Sequence, residues 1–267
     1  MNYDHSFHAG SFTDVYKHIV LMGLLQQLKI KDSAFGYLDT HSGYPYYDLS
    51  SCQSQRSKEA QQGIVKLWRA KQKLSQTLRT YLAFINQFNQ SLGASERYYP
   101  GSTVFAAMLK RPQDSVIANE LEQKPFEALK KFFKKDATVH CHKQTADHVL
   151  KSLLPLKEKR GLILIDPPYE ALNEFDWLLS ATTAALKLWP QGVYAIWYPI
   201  KAMRRIEIFA DRLAKTIDRP QMNFPCCPLP TDVGHRLSGS GMLLINPPWQ
   251  IETFIQPVIE ELRIILR

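Results

Sequence analysis

Gly161-Leu162-Ile163-Leu164-Ile165-Asp166-Pro167-Pro168-Tyr169 is the stretch that decides the fold. An unbroken apolar run of this length is typical of a strand buried on both faces of a parallel sheet that helices cover. Two prolines then fix the φ angles of the turn and donate no N–H groups there. Because open parallel sheets bind ligands at the carboxyl ends of their strands, the turn at Asp166 is the expected place for a site.

Apolar runs and helical patterns alternate on both sides of this strand. Strands are predicted at residues 34–39, 115–119, 138–142, 161–165, 192–198, 222–227 and 240–245, and helices at 13–29, 125–134, 146–154, 174–188 and 251–266. This alternation predicts an α/β fold with a seven-stranded, mostly parallel sheet. Residues 228–239 are too few for a long crossover helix, which favours an antiparallel last strand, with a parallel pairing as the open alternative.

One interval interrupts the alternation. About 75 residues separate the first strand from the second, far more than one crossover needs. They contain two helical patterns, at residues 57–70 and 74–92. We therefore predict an inserted helical subdomain at 51–97 within a main domain formed by 1–50 and 98–267.

The composition excludes several classes of protein. The chain has 267 residues, 45% of them hydrophobic and 22% charged, as in ordinary globular domains. No run of eighteen apolar residues predicts a membrane span, and the N-terminus lacks a secretory apolar segment. The four cysteines show no CxxC spacing, which favours reduced thiols and a cytoplasmic location. The net charge of +8 suits a polyanionic partner but does not by itself distinguish nucleic acid binding from simple solubility.

The tetrapeptide that begins at Asp166 suits methylation of an amino group on a nucleic-acid base. Such an amine is a poor nucleophile because its lone pair is delocalised into the ring. Asp166 and the carbonyl of Pro167 can each accept a hydrogen bond from it, and Asp166 need not be a strong base because the attacked nitrogen becomes acidic. Pro168 completes the rigid turn, and Tyr169 offers a ring for stacking on a base swung out of its helix. The alternative is a surface turn with a packed tyrosine.

A similar motif, Asn246-Pro247-Pro248-Trp249, follows the last predicted strand. If that strand is antiparallel, its carboxyl end points away from the edge that holds Asp166. The motif would then be structural or would contact substrate at the periphery, so we predict that Asp166 is the catalytic residue.

Residues at two other strand ends are candidates for holding a methyl donor. Asp39 and His41 follow the first strand, where cofactor-binding sheets place their glycine loop, and Glu120 closes the second, where an acidic residue can hold two ribose hydroxyls. The histidines have no HExxH or comparable spacing, so no metal site is expected.

Matching stretches along nearly the whole chain resemble the RlmJ-type family of bacterial ribosomal RNA adenine-N6 methyltransferases. They occur in the family's order at residues 5–10, 14–15, 17–18, 37–41, 98–102, 161–169, 197–199, 240–242 and 245–249.

The resemblance implies a Rossmann-like class I methyltransferase that depends on S-adenosyl-L-methionine (AdoMet) and carries a helical insertion. The implied product is N6-methyladenine in 23S ribosomal RNA, made on protein-free or immature RNA by a monomer. Carried onto this sequence, catalysis falls on Asp166 within Asp166-Pro167-Pro168-Tyr169. The implied AdoMet contacts are His18, His41, Ser102, Glu120, Thr145, Ala146 and Asp166, and the implied contacts near the target adenine are Tyr3, His5 and Lys17.

Two departures from the family pattern concern the cofactor. Where the family has a glycine-rich loop, this chain has Ser42-Gly43-Tyr44-Pro45, and Tyr44 is predicted to crowd the methionine end of AdoMet. Where the family has Asp-Gly, this chain has Thr145-Ala146, and Asp147 is a candidate substitute. Two alternatives therefore stay open: a catalytically weakened RNA-binding member of the family, and a DNA adenine-N6 methyltransferase.

Overall fold

The computed structural model describes residues 4–171, 173–231 and 237–267. Nine strands are described: β1 Gly36–Asp39, β2 Tyr46–Asp48, β3 Tyr98–Pro100, β4 Ser115–Asn119, β5 Val139–His142, β6 Gly161–Ile165, β7 Val193–Ile200, β8 Gln221–Cys226 and β9 Gly239–Ile245. The described helices are α1 Phe12–Lys29, α2 Cys52–Ser57, α3 Glu59–Gln62, α4 Ile64–Ala70, α5 Gln76–Ser91, α6 Ser102–Leu109, α7 Gln123–Phe132, α8 Ala146–Leu153, α9 Glu174–Leu188, α10 Met203–Thr216 and α11 Ile251–Ile265. Short 3₁₀ turns precede α1 and α5.

Seven strands form one sheet in the order β5-β4-β1-β6-β7-β9-β8. Strand β1 pairs in parallel with β4 and β6, and β6 pairs in parallel with β7. Strand β9 is antiparallel to both of its neighbours. The prediction of a Rossmann-like, seven-stranded and mostly parallel sheet with an antiparallel last strand is therefore confirmed. All five residues of β6 are buried, as its apolar run indicated.

Helices cover both faces of the sheet. One apolar cluster joins α1, α11 and the inserted helices to one face, and a second joins α8, α9 and α10 to the other. Helix α1 begins with a side-chain cap, in which Ser11 Oγ accepts from the amide of Asp14. Because that cap starts the helix just before Asp14, it places Lys17 and His18 one turn later, beside the carboxyl ends of the strands. No described helix is both long enough and apolar enough to cross a membrane.

The inserted segment differs in detail from the prediction. The expected single helix at 57–70 is wrong, because the chain forms α3 and α4 there, preceded by the separate helix α2. Lys58 is left-handed, with φ of 56°, and Gly63 packs its backbone on Gly10. A Cβ on Gly63 would lie 2.2 Å from the Gly10 carbonyl oxygen, so this contact needs glycine and interrupts the helix. Apolar residues of α4 and α5 share the core cluster of α1. The boundaries at 51–97 stay a proposal.

Two described helices lie where none was predicted. Helix α6 is short and nearly all apolar, so it shows little helical periodicity. Helix α10 buries Ile206, Phe209 and Leu213, which do have the spacing of a helix face. The sequence therefore contains a helical pattern for α10.

Candidate active site

A cleft of about 1060 Å³ opens at the carboxyl ends of the parallel strands. The loops after β1, β4, β5 and β6 form it, together with α1 and the segment before α1. It brings together most of the predicted site residues: His5, Lys17, His18, His41, Ser102, Glu120, Thr145, Ala146, Asp166, Pro167 and Pro168. Tyr3 lies outside the described residues.

The Asp166 carboxylate forms an ion pair inside this cleft. Its Oδ2 lies 2.7 Å from Lys17 Nζ, and the same amine lies 2.9 Å from Asp14 Oδ1. Burial favours the neutral amine, but the carboxylates of Asp14 and Asp166 outweigh it and hold the pKa of Lys17 well above its ordinary value. A permanent cation therefore sits against the proposed catalytic carboxylate.

Asp14 links this pair to the N-terminal segment. Its Oδ2 accepts hydrogen bonds from His5 Nε2 at 2.9 Å and from the Gly10 amide at 3.2 Å. Burial opposes the charge of Asp14, yet His5 and Lys17 keep the pKa of this carboxyl well below its usual range. The segment before α1 is thus fixed to the Lys17–Asp166 ion pair through one buried carboxylate.

The structure places Tyr169 beside the cleft rather than in its lining. Tyr169 is left-handed, with φ of 54°, and its hydroxyl donates to the Trp197 carbonyl. Its ring packs against Phe175 and against the edge of Trp197. The Trp197 ring in turn lies 5.5 Å from Lys17 Nζ. Stacking of Tyr169 on a base stays a prediction, and it requires access to a ring that now packs within the protein.

Acidic groups at two strand ends have defined partners. Asp39 Oδ2 accepts from Ser102 Oγ at 2.5 Å and from Tyr37, and burial raises the pKa of Asp39 to about 6. Glu120 accepts from the amides of Gly43 and Glu122, both at 2.8 Å, one on each oxygen. Burial raises the pKa of Glu120 above its ordinary value. Each Glu120 oxygen keeps a second lone pair, which suits a pair of hydroxyl donors.

Two of the three histidines that line the cleft, His18 and His41, are neutral near pH 7. Burial, and secondarily the Lys17 charge, lowers the pKa of His18 well below its usual value. Burial lowers the pKa of His41 to about 4. His18 Nδ1 lies 2.8 Å from the Tyr99 hydroxyl, and its Nε2 has no hydrogen-bond partner among the described residues. This side chain therefore has an unused polar atom inside the cleft.

The end of β5 carries the second departure noted from the sequence. Thr145 caps α8, since its hydroxyl accepts from the His148 amide at 3.3 Å. Asp147 also lines the cleft, and its Oδ2 accepts from Trp177 Nε1 at 2.8 Å. The Trp177 ring is edge-on to His41 at 6.0 Å. Asp147 thus stands where the sequence suggested a substitute, with one oxygen already engaged.

Comparison with known proteins assigns the family. The family model described as "Ribosomal RNA large subunit methyltransferase D, RlmJ" matches residues 32–266. The ribosomal RNA large subunit methyltransferase J of Haemophilus influenzae is 38% identical over 259 residues, which cover 97% of this chain and 92% of that protein. The protein of that name from Escherichia coli is 37% identical and covers 97% and 91%. The chain belongs to this family.

A solved structure agrees with the assignment to the RlmJ family. The crystal structure of protein LPL1258 from Legionella pneumophila is 33% identical, with a TM-score of 0.86, and the match covers 96% of this chain and 92% of that one. The similarity therefore extends over the insertion as well as the sheet.

The structure also shows residues in or beside the cleft for which the sequence predicted no role. Trp177, Gln53 and Leu121 line the cleft, and Leu121 is 49% exposed. Asp14 and Trp197 lie behind the lining, where both contact Lys17. Asp14 carried a usable signal, because it lies one helical turn before Lys17. The exposed Leu121 and the half-buried tryptophans have no such signal in the sequence.

Proposed function

We propose that this RlmJ-family chain transfers a methyl group from AdoMet to N6 of an adenine in 23S ribosomal RNA. The observation that carries the proposal is the Asp166 carboxylate, held by Lys17 at the end of β6 in the cleft that also contains His41 and Glu120. The family match supports the choice of ribosomal RNA over DNA.

The residues present fit a nucleoside-containing ligand such as AdoMet. Three residues that line the cleft each have a buried polar atom without a hydrogen-bond partner among the described residues: His18 Nε2, Ser42 Oγ and Gln144 Oε1. Buried polar atoms are normally paired, so they favour a polar occupant. Glu120 would hold the ribose hydroxyls, and the exposed side chain of Leu121 would cover one face of the adenine. His18, His41, Ser102, Thr145 and Ala146 would complete the contacts.

When bound, AdoMet supplies an electrophilic methyl group on a positively charged sulfur. The protein's task is to localise the lone pair of the target amine and to take up a proton. Lys17 occupies Asp166 Oδ2, which leaves Oδ1 to accept an N6–H hydrogen bond, and the Pro167 carbonyl can accept the second. The amine gains a methyl group and loses one proton, which Asp166 accepts and then passes to solvent.

Lys17 holds the Asp166 carboxylate in position through the ion pair at 2.7 Å. The nitrogen becomes strongly acidic only after it is attacked, when a weak base is sufficient. Lys17 therefore orients the acceptor for the target amine.

The experiment is methyl transfer from labelled AdoMet to transcribed, protein-free 23S ribosomal RNA. We expect N6-methyladenosine in a nuclease digest, less product with assembled large subunits, and little with 16S ribosomal RNA or duplex DNA at equal mass. Equal transfer to DNA would contradict the proposed substrate. AdoMet binding that calorimetry cannot detect at millimolar concentration would instead favour an RNA-binding role without catalysis. We also propose that the protein is a monomer, and the molecular mass measured by size-exclusion chromatography tests this.

A further inference from the structure

A second cavity, of about 240 Å³, lies beside the catalytic cleft on the inserted segment. Helix α2 separates the two: Gln53 lines the catalytic cleft, whereas Ser54 and Gln55 line the second cavity. An α-helix with its side chains is about 10–12 Å thick. Stacked nucleotides rise about 3.4 Å each along one strand, so this thickness corresponds to about three of them, or to fewer if they are unstacked.

The lining combines an apolar wall with polar groups that suit a nucleobase. Trp68 and Val65 contribute apolar surface, and Ser54, Gln61 and Glu96 contribute hydrogen-bonding groups. Trp68 Nε1 is buried and has no acceptor among the described residues. A buried donor without a partner costs free energy, which a base carbonyl reaching it would recover. The volume is below the roughly 300–1,000 Å³ of sites for drug-sized ligands, which favours one base over a larger molecule.

Two lining residues hold unusual backbone conformations. Lys58 and Glu96 are left-handed, with φ of 56° and 51°, although neither is glycine. This conformation is strained for residues that carry a Cβ, and strained residues of this kind cluster at ligand sites. Lys58 forms the bend between α2 and α3 at the exposed rim. The Arg97 guanidinium, by contrast, already donates to both oxygens of Asp48.

The charge of the chain is concentrated on this segment. Residues 51–97 contain eight Lys or Arg residues and two Glu residues, a net charge of +6 out of +8 for the whole chain. Most of these cations are exposed: Arg56, Lys58, Arg69, Lys71, Lys73, Arg79 and Arg97. Exposed cations beside the second cavity suit a strand of nucleic acid, because its phosphates release bound counterions when they pair with lysine and arginine side chains.

We propose that the second cavity is a nucleotide subsite, which takes a base one to three positions from the target adenine while Lys58 contacts the backbone. The inference rests on the proposed function, because it assumes that the strand entering the catalytic cleft is RNA. A base flipped into an active site needs its neighbours held, and contacts to flanking nucleotides are one source of sequence preference.

The first test fills the cavity with a large side chain and compares this variant with the same substitution at the next residue, which lies outside the cavity. Gln61 and Gln62 are consecutive on α3, but only Gln61 lines the cavity. We expect Gln61→Trp to raise the Kd for transcribed 23S ribosomal RNA about tenfold, with the Kd for AdoMet and kcat at saturating RNA unchanged. Gln62→Trp, the control, should change the RNA Kd less than twofold. Equal effects of the two variants would overturn the subsite.

A second pair of variants tests the rim without filling the cavity. Lys58→Asn removes the charge and keeps a residue that tolerates the left-handed conformation, and Lys71→Asn removes an exposed charge elsewhere on the insertion. We expect Lys58→Asn to weaken RNA binding more than Lys71→Asn does. It should also reduce the slope of the logarithm of the RNA binding constant against the logarithm of the salt concentration by about 0.7–0.9. A smaller effect than that of Lys71→Asn would leave only general electrostatic attraction and overturn the proposed contact.

Photocrosslinking identifies what occupies the cavity. With RNA that contains 4-thiouridine, a crosslinked peptide including Trp68 should appear for the wild type and for Gln62→Trp, and should be lost in Gln61→Trp. Crosslinks that map only to other segments would overturn the proposal. RNA binding is measured without AdoMet, so it does not depend on methyl transfer. A wild type that binds RNA but transfers no methyl group would contradict the proposed function. The comparison of RNA binding by Gln61→Trp and Gln62→Trp would still test the subsite.

Discussion

Two turns of this molecule have nearly the same sequence and opposite surroundings. Asp166-Pro167-Pro168-Tyr169 follows β6, and Asn246-Pro247-Pro248-Trp249 follows β9. Because β9 is antiparallel to β7, the second turn lies at the other edge of the sheet from the cleft. Strand direction, rather than the motif, decides which turn can meet the methyl donor.

The first side chains of the two turns also differ in what they contact. Asp166 faces a buried cation and keeps one oxygen for a ligand. The Asn246 amide donates to the carbonyls of Pro190 and Gly192, at 2.9 and 2.8 Å, and its backbone N–H donates to Pro220. The polar side chain of the second turn is therefore engaged with backbone carbonyls of the fold. The side chain of the first turn contacts Lys17 through one oxygen, and its other oxygen can accept a hydrogen bond from a ligand.

The largest expected effect is a loss of activity when the first side chain of the first turn is removed. Asp166→Ala should lower kcat at least 10³-fold, about 4 kcal/mol of barrier, because the acceptor for N6–H is lost. The Kd for RNA should stay within twofold of the wild type. The control is Asp211→Ala, which removes an exposed carboxylate on α10. A variant at Asp166 with full single-turnover activity would disprove its assigned role.

The next prediction concerns the cation behind the first turn. Lys17→Met keeps the length of the side chain but leaves Asp14 and Asp166 without their shared counterion. We expect a loss of about 3 kcal/mol in the free energy of unfolding, measured in urea, and a 10- to 100-fold lower kcat. Adding Asp14→Asn should recover stability but not activity. A Lys17→Met protein as stable as the wild type would contradict the account of this pair.

For the second turn we expect a loss of stability without a loss of catalysis. Asn246→Gly keeps the left-handed φ of 53° at no steric cost but removes two hydrogen bonds to backbone carbonyls. The free energy of unfolding should fall by about 2 kcal/mol. Asn246→Ala should cost about 1 kcal/mol more because of its backbone conformation. A fall in kcat at unchanged stability would give the second turn a catalytic role.

The free energy of unfolding should fall in acid because of His41, which lies at the same edge of the sheet as the first turn. The pKa of His41 is about 4 in the folded chain and about 6.5 when unfolded, so the unfolded state binds more protons between these values. Stability from this residue is full above pH 6.5 and is lost as pH falls toward 4. His41→Asn should therefore lose less stability than the wild type between pH 7 and pH 4.5, by roughly 1–2 kcal/mol. Parallel stability curves for the two proteins would contradict the low pKa.

The sequence predicted the sheet better than it predicted the surroundings of the site. The bounds of β4, β6 and α9 agree with the predicted ones because buried apolar runs and helical periodicity are local signals. The break at Gly63 depends on contact with Gly10, 53 positions away, and no local pattern records it. For the same reason Asp166 could be selected from its strand, whereas its contacts with Lys17 and the placement of Tyr169 required the folded chain.

The smallest expected effect belongs to the last residue of the second turn. Trp249 is 84% exposed, whereas Tyr169, at the same place in the first turn, packs against Phe175 and Trp197. Trp249→Ala should change the free energy of unfolding by less than about 0.5 kcal/mol, as surface substitutions usually do. KM for ribosomal RNA should also stay the same, because the turn lies at the edge of the sheet away from the cleft. A several-fold higher KM with unchanged kcat would instead show that RNA reaches this edge, and the second turn would then be a peripheral RNA contact as well as a closure of the fold.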